Sequence, residues 1–251
     1  MTIYDYLKFL DKIAPFETQD NYDNSGFIIG DLKADVKSVL LCLDITNSVV
    51  EEAAERGVDL IISHHPVIFN PMKKIEKSSP VHKVIRYGIS VIAAHTNFDI
   101  THMPSAMLKR LGFSDKAVIE AQPIKPFGLI AELPAPLSAN DILVKIKSAF
   151  LIETLRYTKG KEKIRRVAVC SGAGADLAEQ AYEMGADLFI CGDIRRHHFI
   201  DAMNRGFMLV DAGHYGTEFI FCEYLKNLIL KEFPNEKIYI TERDIDAVSF
   251  I

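Results

Sequence analysis

Paired cysteines are missing from this chain. Its 251 residues include four cysteines, Cys42, Cys170, Cys191 and Cys222, which lie far apart and never as C-x-x-C. That spacing excludes a disulfide scaffold and gives no cysteine zinc motif. Three of them sit inside the apolar runs VLLCLD, VAVCSG and LFICGD, where a thiol serves as a small buried hydrophobe. No apolar run approaches the roughly 18 residues needed to span a bilayer. An excess of positive charge is also absent, since 29 basic against 34 acidic side chains leave a formal charge of -5. The sign is wrong for a chain that lives on nucleic-acid phosphates or anionic lipid, so neither nucleic acid nor a membrane is expected as a partner. No P-loop sequence occurs. Asp5, Lys8, Asp11 and Lys12 place charge through the first residues, unlike a signal or transit peptide, and the expected location is cytoplasmic.

What is present is an ordinary globular composition, 49% hydrophobic and 25% charged, which excludes disorder and collagen-like repeats. At about 150 residues per domain the length predicts one large or two small compact units. Ile3, Tyr6, Leu7, Leu10 and Ile13 have helical spacing behind Thr2, a suitable cap. A polar loop, DNYDNSG, then runs into a short apolar strand. SVLLCLD, a helix capped by Thr46 and the run VDLIISHHP form a βαβ unit, followed by a helix over Pro80 to Tyr87 and a third strand over Ile89 to Asp99. Such connections imply a mostly parallel sheet with right-handed crossovers.

The stretch QPIKPFGLIAELPAPLSAND holds four of the ten prolines and is followed by an amphipathic helix and the charged run KGKEKIRR. A boundary is expected near residue 122, giving domains 1–121 and 122–251, with the C-terminal helix and strand able to return to the first. Beyond it strand and helix alternate again through RVAVCSGAG, DLFICGD, FMLVDAG and KIYITERD. The expected fold class is α/β, two domains with mostly parallel sheets.

Histidine carries the chemistry. There are eight; His64 and His65 follow the strand LIIS, His95 and Asp99 follow VIAA, and His214 and Glu218 follow FMLVDAG. In open α/β sheets ligands bind outside the carboxyl ends of the strands. Imidazole with carboxylate, and no thiolate nearby, suits Zn, Fe or Mn. Adjacent residues of extended chain point to opposite sides, so His64 and His65, with Pro66 favouring extension, can address two ions or two sides of one cluster. His214 and Glu218, four apart at a helix start, can converge on one ion, and Asp99 is a natural bridge. His82 and His102 read as bystanders. Asp193, His197 and His198 in GDIRRHHF either have a structural or surface role or line the pocket, with Asp193 and His197 candidates for supporting the ligands. Gly172 and Gly174 in SGAG either bring backbone amides to an anion or make a plain turn.

DNSGFIIG (Asp23 to Gly30), LDIT (Leu43 to Thr46), SHHPVIF (Ser63 to Phe69), HTNFD (His95 to Asp99) and DAGHYGTE (Asp211 to Glu218) resemble the motifs of the Nif-three-like family, whose members carry the name GTP cyclohydrolase I type 2 homologue. The resemblance runs from about residue 20 to the DIDAVSF end. It implies two interlocked α/β domains, a dinuclear metal site in the cleft between them and a ring-shaped homohexamer. By motif the family's ligands fall on His64, His65, Asp99, His214 and Glu218, holding two divalent ions per chain, with His95 close by as support. Tyr22 stands where the family usually has tryptophan, a residue this chain lacks, and Phe98 where it usually has leucine. The implied reaction is metal-assisted hydrolysis of a small molecule, the imidazole ring of GTP by the family name, although no guanine-reading motif is evident. Metal delivery and a structural ring scaffold are the competing functions.

Overall fold

In a computed structural model of the protein, residues 1–113 and 120–249 are described. The chain runs through α1 (Ile3–Ile13), β1 (Gly26–Ile29), β2 (Val39–Cys42), α2 (Asn47–Glu55), β3 (Leu60–Ser63), α3 (Pro80–Tyr87), β4 (Ser90–Ala93) and α4 (Thr96–Thr101). It continues through α5 (Met103–Arg110), β5 (Glu120–Ile124), β6 (Gly128–Ser138), α6 (Ala139–Phe150), β7 (Arg156–Tyr157), β8 (Lys163–Val169), α7 (Ala178–Glu183), β9 (Leu188–Cys191) and α8 (Arg196–Asn204). It closes with β10 (Met208–Asp211), α9 (His214–Glu218), α10 (Ile220–Glu232) and β11 (Ile238–Ile240). Helix starts follow local chemistry: Thr2 and Asp5 form a reciprocal capping box on α1, Thr46 caps α2, and Ser79 with Pro80 opens α3.

Contacts divide the chain into two compact units, Met1–Thr101 with Phe221–Ile251, and His102–Ile220. The sheet of the first unit has the order β1-β4-β3-β2-β11; β4, β3, β2 and β11 are parallel and β1 is antiparallel to β4. VLLC, LIIS and SVIA are buried at every position, which is why they read as unbroken apolar runs instead of alternating ones. Leu40, Cys42, Ile61 and Val91 of the strands pack with Val49, Val50 and Ala53 of α2 and Val84 of α3.

The second unit has a six-stranded sheet of order β5-β6-β8-β9-β10-β7. Only β8, β9 and β10 are parallel; β5 with β6, β6 with β8, and β7 with β10 are antiparallel. Both sheets are therefore mixed: the first is mostly parallel as expected, whereas in the second the antiparallel pairings outnumber the parallel ones among the described residues, which departs from the expectation. The difference comes from the proline-rich stretch, which forms the β5–β6 hairpin. Pro123 lies in an edge strand, and Pro134 and Pro136 fall where the β6–β8 register shifts between Glu132 and Leu137, positions that need no ladder N–H.

The boundary expected at 121/122 falls inside β5. α5, expected with the first domain, packs on β6 and β8, and Arg110 Nε donates to the Ala149 carbonyl at 2.8 Å. Phe250, the last residue of DIDAVSF, lies outside the described residues. Among the described residues no helix is long and apolar enough to cross a membrane.

Beyond β11 the chain is tied to the first unit. Thr241 N–H donates to the Leu41 carbonyl and its hydroxyl to the buried Glu52 at 2.5 Å. Asp244 Oδ2 accepts from the N–H groups of Leu43 at 2.6 Å and Asp44 at 2.9 Å. Burial, with some help from the charge of Asp44, raises the Asp244 carboxyl to about 6 against the pull of those two N–H groups. Between about pH 4 and 6 the native state then holds a proton that the unfolded chain has released, so this residue's contribution to stability falls as pH rises through the window and is constant above it. Asp244→Asn removes the titration. In urea melts its stability relative to the parent is expected to rise from pH 4 to pH 6 and then level off; a difference independent of pH contradicts the assignment.

Candidate metal centre

In the first unit the candidate donors gather at the carboxyl ends of β2, β3 and β4. β3 ends at Ser63, and His64 and His65 lie in the bend that follows. Strand alternation does not apply there, so the two rings do not face opposite sides: their centroids are 5.1 Å apart. His95 completes a near-equilateral triangle, 5.2 Å from His64 and 5.3 Å from His65. One donor atom from each of the three lies within 4.8 Å of the others, a grouping able to hold a metal ion.

Each ring is aimed by its Nδ1. His64, fully buried, has Nδ1 at 2.9 Å from the Ala94 carbonyl oxygen. A carbonyl only accepts, so this nitrogen carries the hydrogen and the neutral ring presents the Nε2 lone pair. His65 Nδ1 lies 2.9 Å from Asp44 Oδ1, and His95 Nδ1 lies 2.8 Å from Asp23 Oδ1. This is the arrangement by which metal-binding histidines are fixed in tautomer and direction.

Asp23 does two jobs. Its Oδ2 accepts from the Thr96 N–H at 3.0 Å and from the Ser25 hydroxyl at 2.9 Å, capping α4 while Oδ1 holds His95. Burial opposes its charge, but hydrogen bonds from His95, Thr96 and Ser25 outweigh burial and hold the carboxyl below the usual carboxylate range. Because α4 starts here, the third strand stops at Ala93, and Asp99 is a helical residue, not a strand-end one. Its N–H reaches the His95 carbonyl, and its Oδ1 lies 3.6 Å from His64 Nε2.

In the second unit β10 ends at Asp211 and α9 opens at His214. His214 Nδ1 is 2.7 Å from Asp193 Oδ2 and Nε2 is 2.9 Å from Glu218 Oε2. The bond to Glu218, against the cost of burial and with the help of Asp193, raises His214 to about 9. A cation taking Nε2 must displace that proton. Asp193 supports the ring from a left-handed backbone, φ 52°, and Asp211 Oδ1 holds the Gly213 N–H at 3.0 Å.

The SGAG loop closes on this pair. Gly172 has φ +55°, its N–H donates to Thr217 Oγ1 at 3.0 Å, and a Cβ there would overlap the Glu218 carboxylate and sit 3.2 Å from His214 Nε2. Gly192, unremarked in the sequence, is needed where the backbone itself comes close: a Cβ would lie 2.7 Å from the His214 backbone nitrogen. Gly174 leaves room for Cys170. The His197 and His198 rings are tilted against each other, centroids 4.0 Å apart, and His198 lies 3.4 Å from Asp176. Among the described residues His82, His102, His197 and His198 join no group of candidate ligands.

Sequence reasoning named Asp193 as a support for the ligands but gave Asp23 and Asp44 no role, although both stand in the motifs DNSG and LDIT. No local signal marks them, since Asp23 lies in the loop before β1 and Asp44 follows β2, and neither strand end carries a histidine.

The fold and these histidine clusters define an α/β protein built around candidate metal donors. The profile of the Duf34/NIF3 (NGG1p interacting factor 3) family matches residues 1–246, and the chain belongs to that family. It is 31% identical over 266 residues to a Clostridium acetobutylicum protein named GTP cyclohydrolase 1 type 2 homolog, covering 100% of this chain and 99% of that one. A Campylobacter jejuni protein of the same name is 31% identical over 254 residues, covering 97% and 98%. The crystal structure of a Staphylococcus aureus hypothetical protein matches with a TM-score of 0.89 at 29% identity, covering 100% of this chain and 99% of that one.

Gly172→Ala is expected to cost at least about 1 to 2 kcal/mol for the left-handed backbone alone, with a further loss from pushing Glu218 away from His214. Thermal and urea unfolding check this, and parental stability contradicts it.

Proposed function

We propose that this chain is a dinuclear metal-binding protein whose ions serve hydrolysis of a nucleotide or related small molecule. His64, His65 and Asp99 of the first unit and His214 and Glu218 of the second are the ligands. The observation that carries the proposal is the anchoring of Nδ1 in His64, His65, His95 and His214, each against a carbonyl or carboxylate. Five donors overfill one four-coordinate ion but, with water and a bridging carboxylate, complete two.

Zn, Fe and Mn all suit this donor set, and when bound such an ion lowers the pKa of a coordinated water and polarises the bond attacked. The protein's own residues set the geometry. Asp44 and Asp193 hold His65 and His214 in place, Gly172 and Gly192 let the backbone close against the His214–Glu218 pair, and Asp23 holds His95 for hydrogen bonding at the centre. The names of the relatives suggest GTP chemistry. One observation favours metal delivery instead: the SGAG loop, the one glycine-rich candidate for holding an anion, is spent on Thr217 and Glu218. Turnover with a panel of nucleotides and phosphoesters separates these, because a delivery protein gives none while transferring its ions to an apo acceptor.

Elemental analysis of metal-saturated protein is expected to find about two divalent ions per chain. Asp99→Asn, a neutral amide in place of the bridge, is expected to lower that content with the fold intact, and His64→Ala to abolish most of it. His95→Ala is expected to keep most of the metal while any hydrolysis falls by about 10- to 100-fold. Unchanged occupancy in Asp99→Asn removes that residue from the ligand set.

The assembly is proposed on family grounds to be a homohexamer, closed by symmetry. Light scattering is expected to show six times 28.2 kDa; a stable monomer at micromolar concentration overturns it.

A further inference from the structure

We propose that the C-terminal segment Thr241 to Asp244 is a positioning element of the metal centre, and that Asp244 is the residue that fixes the aim of His65. The inference rests on His65 being a ligand and adds a dependence on the far end of the chain.

The side chain of His65 is 25% exposed, against 0% for His64 and 16% for His95. Packing restrains it least of the three, so hydrogen bonds must aim it. Two of these come from one dipeptide: the His65 N–H donates to the Leu43 carbonyl at 3.0 Å, and His65 Nδ1 meets Asp44 Oδ1 at 2.9 Å. Leu43 and Asp44 lie past the end of β2, and the Asp44 side chain is 50% exposed. A half-exposed carboxylate on chain that has left its strand is a poor anchor unless its backbone is held.

Asp244 supplies that hold. Its Oδ2 accepts both the Leu43 and the Asp44 N–H, at 2.6 and 2.9 Å, so one oxygen grips the dipeptide whose carbonyl and carboxylate grip His65. The carboxylate is itself delivered rigidly. Thr241 continues the pairing of β11 with β2 through the Leu41 carbonyl, and its hydroxyl and the Glu242 N–H both reach Glu52 on α2. The Arg243 N–H returns to the Thr241 hydroxyl at 3.1 Å and its guanidinium pairs with Glu55. Glu52, only 2% exposed, is held in turn by Arg56 at 2.9 Å. His95, by contrast, takes its aim from Asp23 and is independent of this segment.

The test compares the parent with Asp244→Ala, Asp244→Asn and His65→Ala. Long-range proton–nitrogen spectra of the metal-free, nitrogen-labelled protein report each histidine's tautomer. The parent is expected to show His65 with its hydrogen on Nδ1. Asp244→Ala is expected to lose that preference at His65 and keep it at His95, and Asp244→Asn, whose amide oxygen can accept both N–H groups, to restore it. Zinc titration against a chelator is expected to show affinity about 10-fold weaker or more in Asp244→Ala, with recovery in Asp244→Asn. If Asp244→Ala does not fold, Asp244→Ser replaces it with the same expectations. A parental His65 tautomer in the folded variant overturns the positioning role. Zinc affinity in His65→Ala equal to the parent's overturns the ligand assignment beneath it, and with it any part of Asp244 in a metal centre, whatever the spectra show.

Discussion

The structure turns on a hydrogen bond made four times, from the Nδ1 of a histidine to an acceptor that cannot give the hydrogen back. An unanchored imidazole exchanges its tautomer and rotates; one tied at Nδ1 offers a lone pair at Nε2 in a set direction. Everything near the site serves to hold the acceptors. The Ala94 carbonyl is fixed by β4, whose next residue pairs back to Ser63. Asp23 is tied down by Thr96 and Ser25, Asp44 by the C-terminal segment, and Asp193 by a left-handed backbone. The arrangement is costly, since it places carboxylates in partly buried positions, and the high value at Asp244 reflects chiefly that burial. A bound cation would offset it.

The fold supplies these acceptors by the way its strands end. In parallel α/β sheets each strand delivers its last residues to the same edge, and the following loop or helix turns away from a common point. Here β2 brings Asp44, β3 brings His64 and His65, and β4 brings His95 with α4 behind it. In the second unit β9 brings Asp193 and β10 brings His214. Glycine is placed where backbone must approach a ligand pair, at positions 172 and 192, and a methyl group at either would collide with the residues around His214.

Much of this was legible from the residues. Thr2 and Thr46 announced helices that the structure contains, the helix expected over Pro80 to Tyr87 is there, and VLLC, LIIS and SVIA read as buried parallel strands because both faces of them are covered. The histidines that follow LIIS, and the pair His214 and Glu218, stood out by position. What could not be read was long-range. Asp23 meets His95 across 72 residues and Asp244 meets Leu43 across 201, and nothing local marks an aspartate as a histidine's anchor. The β5–β6 hairpin was hidden by its prolines, which sit where the ladder does not need them. α4 was hidden because its cap, Asp23, lies on a distant loop, so HTNFD looked like the tail of a strand.

The most direct measurement of the central claim is a crystal structure of the zinc-loaded protein with anomalous data at the zinc edge. The account predicts zinc bound through the Nε2 atoms of His64, His65 and His214 at about 2.0 to 2.1 Å, with each Nδ1 still on its present acceptor. Coordination through Nδ1, or zinc bound elsewhere while these histidines stay unliganded, would contradict it.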